Sequence, residues 1–347
     1  MVPGAGPQWF GSVMGTGILS NLTQTLAGDT AAGRGIALVL LVIAWALMVG
    51  LAVGFAARVA RRPSVFHDTR RTIGVLVTWG MVAMGVLSVG SATAAVVPAH
   101  WPDLSGAAWA VDAVLWCCGT ALGVTTSVGF ALRLISRDLG APTTTWGLPL
   151  VPPMVSSTTG AALVPHVGGA VGRVCLLMAS VGCFLLALTL GVIVFIVAYH
   201  HHWFVRRLAI DASASSWIPL GIVGQSTAAA QVVAAQAKTM ALPDYQTAIQ
   251  SVADWYGYAM AIIGAPLIAW AAAMTARGLR RSMAFAPGWW ALTFPVGTLC
   301  LGSHFLHVGT GADFWGWAAF GFLALLAAHW CLCAAATCRA VVGRVRA

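Results

Sequence analysis

Ten predominantly apolar stretches, most close to the twenty or so residues a membrane-crossing helix needs, follow one another along the chain. They fall at about 9–27, 35–58, 72–97, 107–134, 146–164, 173–199, 217–237, 249–276, 289–308 and 314–337. The connectors are fewer than about twenty residues each, which leaves no room for a water-soluble domain. The pattern predicts an all-α membrane protein of ten transmembrane helices, with 1–347 forming a single transmembrane domain. Composition points the same way: 59% of residues are hydrophobic and 8% charged, against about 25% charged in an ordinary soluble domain.

The basic residues say how such a chain is oriented. A net charge of +9 invites a nucleic-acid partner, but the arginines sit at the ends of apolar stretches and form no continuous basic face, so none is expected. Arg58, Arg61, Arg62, Arg70, Arg71, Arg133, Arg137, Arg206, Arg207, Arg277, Arg280, Arg281, Arg339, Arg344 and Arg346 follow the even-numbered helices. The opposite connectors hold only Arg34, Arg173 and Lys238. By the positive-inside rule both termini are expected in the cytoplasm, and the multi-pass chain is expected in the inner (plasma) membrane. Nothing basic precedes Trp9, so a cleavable signal peptide is not expected. The sole lysine lies in Gln236-Ala237-Lys238-Thr239, which is not a phosphate-binding loop. The eight cysteines form no Cys-x-x-Cys pair and read as small apolar residues within helices.

An internal beat runs through the odd-numbered helices. Trp9, Trp79, Trp146, Trp217 and Trp289 recur at intervals of 70, 67, 71 and 72 residues, about the length of one helical hairpin. Interfacial enrichment of tryptophan is the plainer explanation. Odd helices are also rich in Gly, Pro, Ser and Thr, as in Met14-Gly15-Thr16-Gly17, Pro149-Leu150-Val151-Pro152-Pro153, Pro219-Leu220-Gly221 and Phe294-Pro295-Val296-Gly297-Thr298. Even helices are greasier, as in Leu38-Val39-Leu40-Leu41-Val42-Ile43. Broken backbone inside a membrane is tolerated where it is buried in protein or lines a wet cavity. Five hairpins, each with one broken and one smooth helix, therefore predict a quasi-fivefold ring of inner helices around a central pore. Close packing by small residues explains Gly and Ser as well, but proline less well.

Charged side chains at membrane depth would mark function. Only Asp112 and Asp254 come close, and both are placed near the hydrated outer ends of helices 4 and 8. The path is therefore expected to be neutral. Gly15, Thr16, Gly17, Ser20, Pro153, Ser156, Ser157, Gly224, Gln225, Ser226, Pro295 and Thr298 are the candidate lining. Helix N-terminal ends and hydroxyl donors favour anions without fixed charge, weakly enough to release them. His200-His201-His202 reads as interfacial, His304 and His307 as the side of an outer vestibule, and His329 as packing. No metal and no cofactor are expected.

Trp9-Phe10 with Met14-Gly15-Thr16-Gly17, Pro152-Pro153, Pro219-Leu220-Gly221 with Gly224-Gln225, and Trp289-Trp290-Ala291-Leu292-Thr293-Phe294-Pro295 together resemble the tellurite-resistance/dicarboxylate transporter family. That family takes in sulphite efflux pumps, malate permeases and plant slow anion channels. The resemblance spans helices 1 to 10 and implies transport of small anions such as sulphite or C4-dicarboxylates (malate among them). It further implies a homotrimer with one pore per protomer and a phenylalanine gate, which the match places at Phe294. From the residues alone, Phe294 reads as a packing aromatic. Two rival functions stand beside transport: an intramembrane enzyme or haem protein, which needs clustered histidines or a nucleophile–base pair, and a proton-coupled exporter, which needs a buried carboxylate.

Overall fold

The structure, a computed structural model, describes residues 4–345. Arg346 of the predicted cytoplasmic tail lies outside them, as does the side chain of Arg344. Among the described residues there is no strand, and ten α-helices reach twelve residues or more. These are α1 (Phe10–Ala27), α2 (Ala31–Arg61), α3 (Trp79–His100), α4 (Ser105–Ser136) and α5 (Pro152–Leu163). They continue as α6 (Ala170–His200), α7 (Leu220–Met240), α8 (Pro243–Arg280), α9 (Phe294–Thr310) and α10 (Asp313–Val345).

Eight helical elements among the described residues are long and apolar enough to cross a membrane. The two principal helices outside that set are α1, whose 18 residues include Ser, Thr, Asn and Gln, and α5, which has only 12 residues. At 1.5 Å per residue α5 is about 18 Å long, short of the ~30 Å hydrocarbon core. The apolar run at 146–164 is interrupted because Pro149, Pro152 and Pro153 have no N–H to give a helix. A 3-10 turn at Thr144–Gly147 comes first, and helix starts only where Pro152 and Pro153 occupy its first turn, the place that tolerates them.

Other odd helices start in a related way. Short 3-10 segments at Pro7–Trp9, Ile210–Trp217 and Pro287–Leu292 lead into α1, α7 and α9. In α1, α5, α7 and α9 the breaks thus lie at helix starts, where proline is tolerated, whereas Pro98 lies inside α3 and Pro266 inside the even helix α8, which the sequence pattern reads as smooth. Each tryptophan of the repeat sits at such a start, and four of the five are buried: Trp9, Trp146, Trp217 and Trp289. Trp217 Nε1 donates to Thr275 Oγ1 at 2.8 Å and Trp289 Nε1 to the Ala284 carbonyl at 3.0 Å. These side chains anchor the lead-ins within protein, so interfacial exposure does not explain them.

Burial separates odd from even. Across their most apolar windows, the elements containing α3, α7 and α9 are 61–83% buried, and those containing α2, α4, α6, α8 and α10 are 17–33% buried. Each odd helix packs on the even helix that follows it. The odd helices also contact one another in order, α1 with α3, α3 with α5, α5 with α7, α7 with α9, and α9 back to α1. The α7–α9 approach is close enough that a Cβ on Gly224 would run into the backbone of Thr298.

Candidate functional site

Side chains on a helix are set about 100° apart, so contacts to known neighbours fix where the remaining positions face. On α9, Gly297 meets Ile18 of α1, Thr298 abuts Gly224 of α7, and the Cys300 thiol donates to the Ala319 carbonyl of α10 at 3.2 Å. Phe294, Leu301, Phe305 and Val308 fall on the stripe between α1 and α7. On α1, Gly15 faces Thr293 of the α9 lead-in and Gly17 faces Ser88 of α3, which leaves Met14, Asn21 and Thr25 between them. On α3, Gly85 faces α1 and Gly80 faces Leu148, which leaves Met84, Ser91 and Ala95. The three stripes face a common interior, and Asn21 Nδ2 donates to Ser91 Oγ at 3.3 Å across it.

Exposure changes along these stripes. Met14, Met84 and Phe294 are 1%, 2% and 3% exposed, while Asn21, Ser91, Leu301 and Phe305 are half-buried and Thr25 and Val308 are exposed. The Gly15–Thr293 and Gly17–Ser88 contacts put Met14, Met84 and Phe294 at one level. The interior is filled at that level and opens towards the C-terminal ends of α1, α3 and α9.

The sequence-predicted residues divide by direction. Phe294 lies on the inner stripe. Gly15, Gly17, Gly224 and Thr298 sit at contacts between odd helices, with Thr298 Oγ1 donating to Pro295 O at 2.7 Å. Gln225 ties α7 to α5 through Nε2 to Thr158 Oγ1 at 2.9 Å, and its buried Oε1 has no partner. Two of the expected lining residues turn their side chains towards outer helices instead, and a third, Ser156, is tied to one through its backbone. Ser20 Oγ donates to the Ala37 carbonyl of α2 at 2.7 Å, and Thr16 Oγ1 accepts from Trp330 Nε1 of α10 at 2.9 Å. The Ser156 carbonyl accepts from Trp116 Nε1 of α4 at 2.9 Å, while its hydroxyl bonds back to Pro152 O. An apolar surrounding drives hydroxyls to the nearest carbonyl or cross-helix donor, so their richness in odd helices partly records packing. Ser226 Oγ bonds to Val223 O at 3.4 Å, Ser157 Oγ is buried without a partner, and Pro153 and Pro295 are buried in first turns.

Two acidic residues differ from expectation. Asp112 is 2% exposed, not at a hydrated end; its Oδ1 has no partner and faces Gly90 of α3. It sits between α3 and α4, away from the inner stripes. Asp254 is half-buried at the α7–α8 contact and accepts from Gln231 Nε2 at 2.8 Å and Gln250 Nε2 at 2.9 Å. Lys238 Nζ bonds to Gln250 Oε1, completing a polar cluster that sequence reasoning did not assemble. His307 Nδ1 meets the Ala312 carbonyl at 3.0 Å and His329 Nδ1 the Leu292 carbonyl at 2.8 Å. Among the described residues no three His, Cys or Asp side chains are grouped to hold a metal ion.

Met14 and Met84 escaped sequence analysis, although the signal was present: they are 70 residues apart, the interval that separates Trp9 from Trp79. A family model described as voltage-dependent anion channel matches residues 4–338. No curated protein matches the chain.

Proposed function

Because the chain belongs to the voltage-dependent anion channel family, a family of transporters and not of enzymes, we propose that this multi-pass membrane protein passes sulphite or C4-dicarboxylates through a neutral, phenylalanine-gated pore. In this reading ten helices cross the inner membrane, α1, α3, α5, α7 and α9 ring the path, and α2, α4, α6, α8 and α10 face lipid. The closed order of contacts among the odd helices and their deeper burial support that arrangement. The protein acts as a homotrimer with one path per protomer and keeps both termini in the cytoplasm.

The carrying observation is the level shared by Met14, Met84 and Phe294, where an interior that is otherwise open on one side is filled by apolar side chains. Neither arginine nor lysine lies on the inner stripes. Selectivity for anions then comes from the N-terminal ends of five parallel helices, each carrying about half a positive charge. A site built of partial charges releases its ion readily, as conduction requires. Neutral gate side chains exclude water until Phe294 moves aside. Thr16 and Ser20 are left out of the lining, and Gln225, with an unpaired oxygen beside the α5–α7 contact, is kept at its edge.

Flux through phosphatidylcholine liposomes containing the purified protein tests this reading, with sulphite, malate, nitrate and chloride compared at equal gradients. Anion flux with sulphite or malate favoured supports it. A cation flux, or none in wild type and Phe294→Ala alike, overturns it.

A further inference from the structure

The outer helices leave grooves between them, and one is chemically unlike the rest. A cavity of about 360 Å³ lies between the short helix Ser64–Arg71 and α4. Leu76, Trp79, Leu122 and Phe130 make its apolar wall, and Arg70 and Arg133 stand at its rim. Among the described residues, those lining the grooves between α4 and α6, α6 and α8, α8 and α10, and α10 and α2 include no arginine or lysine. At the α10–α2 groove a single guanidinium, that of Arg58, stands beside Gly4 and Ala5 and donates to the Ala5 carbonyl.

The two guanidiniums are held at this rim. Arg133 Nη1 donates to the Arg70 carbonyl at 2.9 Å, and the Arg70 guanidinium lies over the Phe66 ring, 5.7 Å from its centroid. Among the described residues neither meets a carboxylate. Asp68 on the same short helix is exposed and pairs with neither. Two cations at one groove leave positive charge that no carboxylate meets, and the apolar wall beside them offers nothing to a small hydrated ion. An apolar slot lined by two arginines suits a phospholipid: phosphate at the guanidiniums, acyl chain along the wall.

We propose that this groove binds an anionic glycerophospholipid of the cytoplasmic leaflet, with Arg70 and Arg133 on its phosphate and one acyl chain along Leu76, Leu122 and Phe130. The proposal requires that the arginine-bearing helix ends face that leaflet; it does not depend on which anion is transported. Two arginines near a membrane surface give roughly a thirtyfold preference for an anionic over a zwitterionic lipid.

Binding of phosphatidylglycerol and phosphatidylcholine to the purified full chain, resolved by native mass spectrometry in detergent, tests it. Wild type should retain phosphatidylglycerol with that preference, Arg70→Gln/Arg133→Gln should bring the two lipids near parity, and Arg70→Lys/Arg133→Lys should restore most of the difference. Gly129 lines the same groove, and a Cβ there meets nothing within 4 Å. Gly129→Phe fills the slot without touching the arginines, so it should lose the lipid as well, and it carries the test if the double variant does not fold. Inorganic phosphate at millimolar concentration should not displace the lipid. Retention of the preference in either variant, or displacement by phosphate alone, overturns the proposal. Flux in phosphatidylcholine liposomes is measured separately, so a failure here and a failure of the transport reading are distinguishable.

Discussion

The side-chain amide of Gln225 donates to Thr158 across the α5–α7 contact while its own oxygen, buried beside it, has no partner. Removing the acceptor leaves both ends of a buried amide unpaired, at a cost of about 1–3 kcal/mol for Thr158→Val. Gln225→Met removes the donor and the orphaned oxygen together and should cost less than about 1.5 kcal/mol. Denaturant unfolding in detergent ranks the two variants. The reverse order would show that the oxygen is engaged after all.

Phe294→Ala should raise anion flux about tenfold, equivalent to about 1.4 kcal/mol off the barrier. It should also lower stability by about 3–5 kcal/mol, since the ring is 3% exposed and truncation leaves a cavity. Liposome flux and thermal unfolding read the two effects separately. Lost stability with unchanged flux would make Phe294 a packing aromatic and nothing more.

Gly224→Ala drives a methyl group into the backbone of Thr298 and must push α7 from α9, at a cost at or above the about 1–3 kcal/mol of ordinary overpacking. Gly50→Ala on α2 meets nothing within 4 Å and should gain up to about 1 kcal/mol of helix propensity. Thermal unfolding of the pair decides. Equal stability would mean that the α7–α9 approach is looser than described.

Asp112→Asn keeps the size of a buried side chain whose Oδ1 has no hydrogen-bond partner, and it removes the cost of charging it. The unfolding temperature should rise. A fall of several degrees would reveal a bound ion or water at the carboxylate, and would reopen a role for it.

Sequence periodicity made the helical class and the inner-outer alternation legible, because apolar length and the placement of proline are local properties. The Trp-Trp-Ala-Leu-Thr-Phe-Pro segment also pointed to the family that the family model then matched. Direction was not legible. Thr16 and Ser20 look like lining in a string of small residues, yet which way a hydroxyl turns depends on Trp330 and the Ala37 carbonyl, 314 and 17 residues away. Asp112 misled for a related reason: distance from a helix end predicts hydration only when no other helix covers it, and α3 does. The Asp254 cluster joins side chains from two helices and has no sequence spacing to announce it.

The uneven burial of odd and even helices splits the chain into two mutational regimes. On α2, α4, α6, α8 and α10 one greasy residue can replace another at most positions, because most side chains there are not enclosed by the rest of the protein. On the odd helices a single added methyl group must be answered by a neighbour, so substitutions there arrive in matched pairs or not at all. A random library of this chain would therefore keep its working members diverse on the outside and nearly identical within, and that contrast would redraw the architecture without any coordinates.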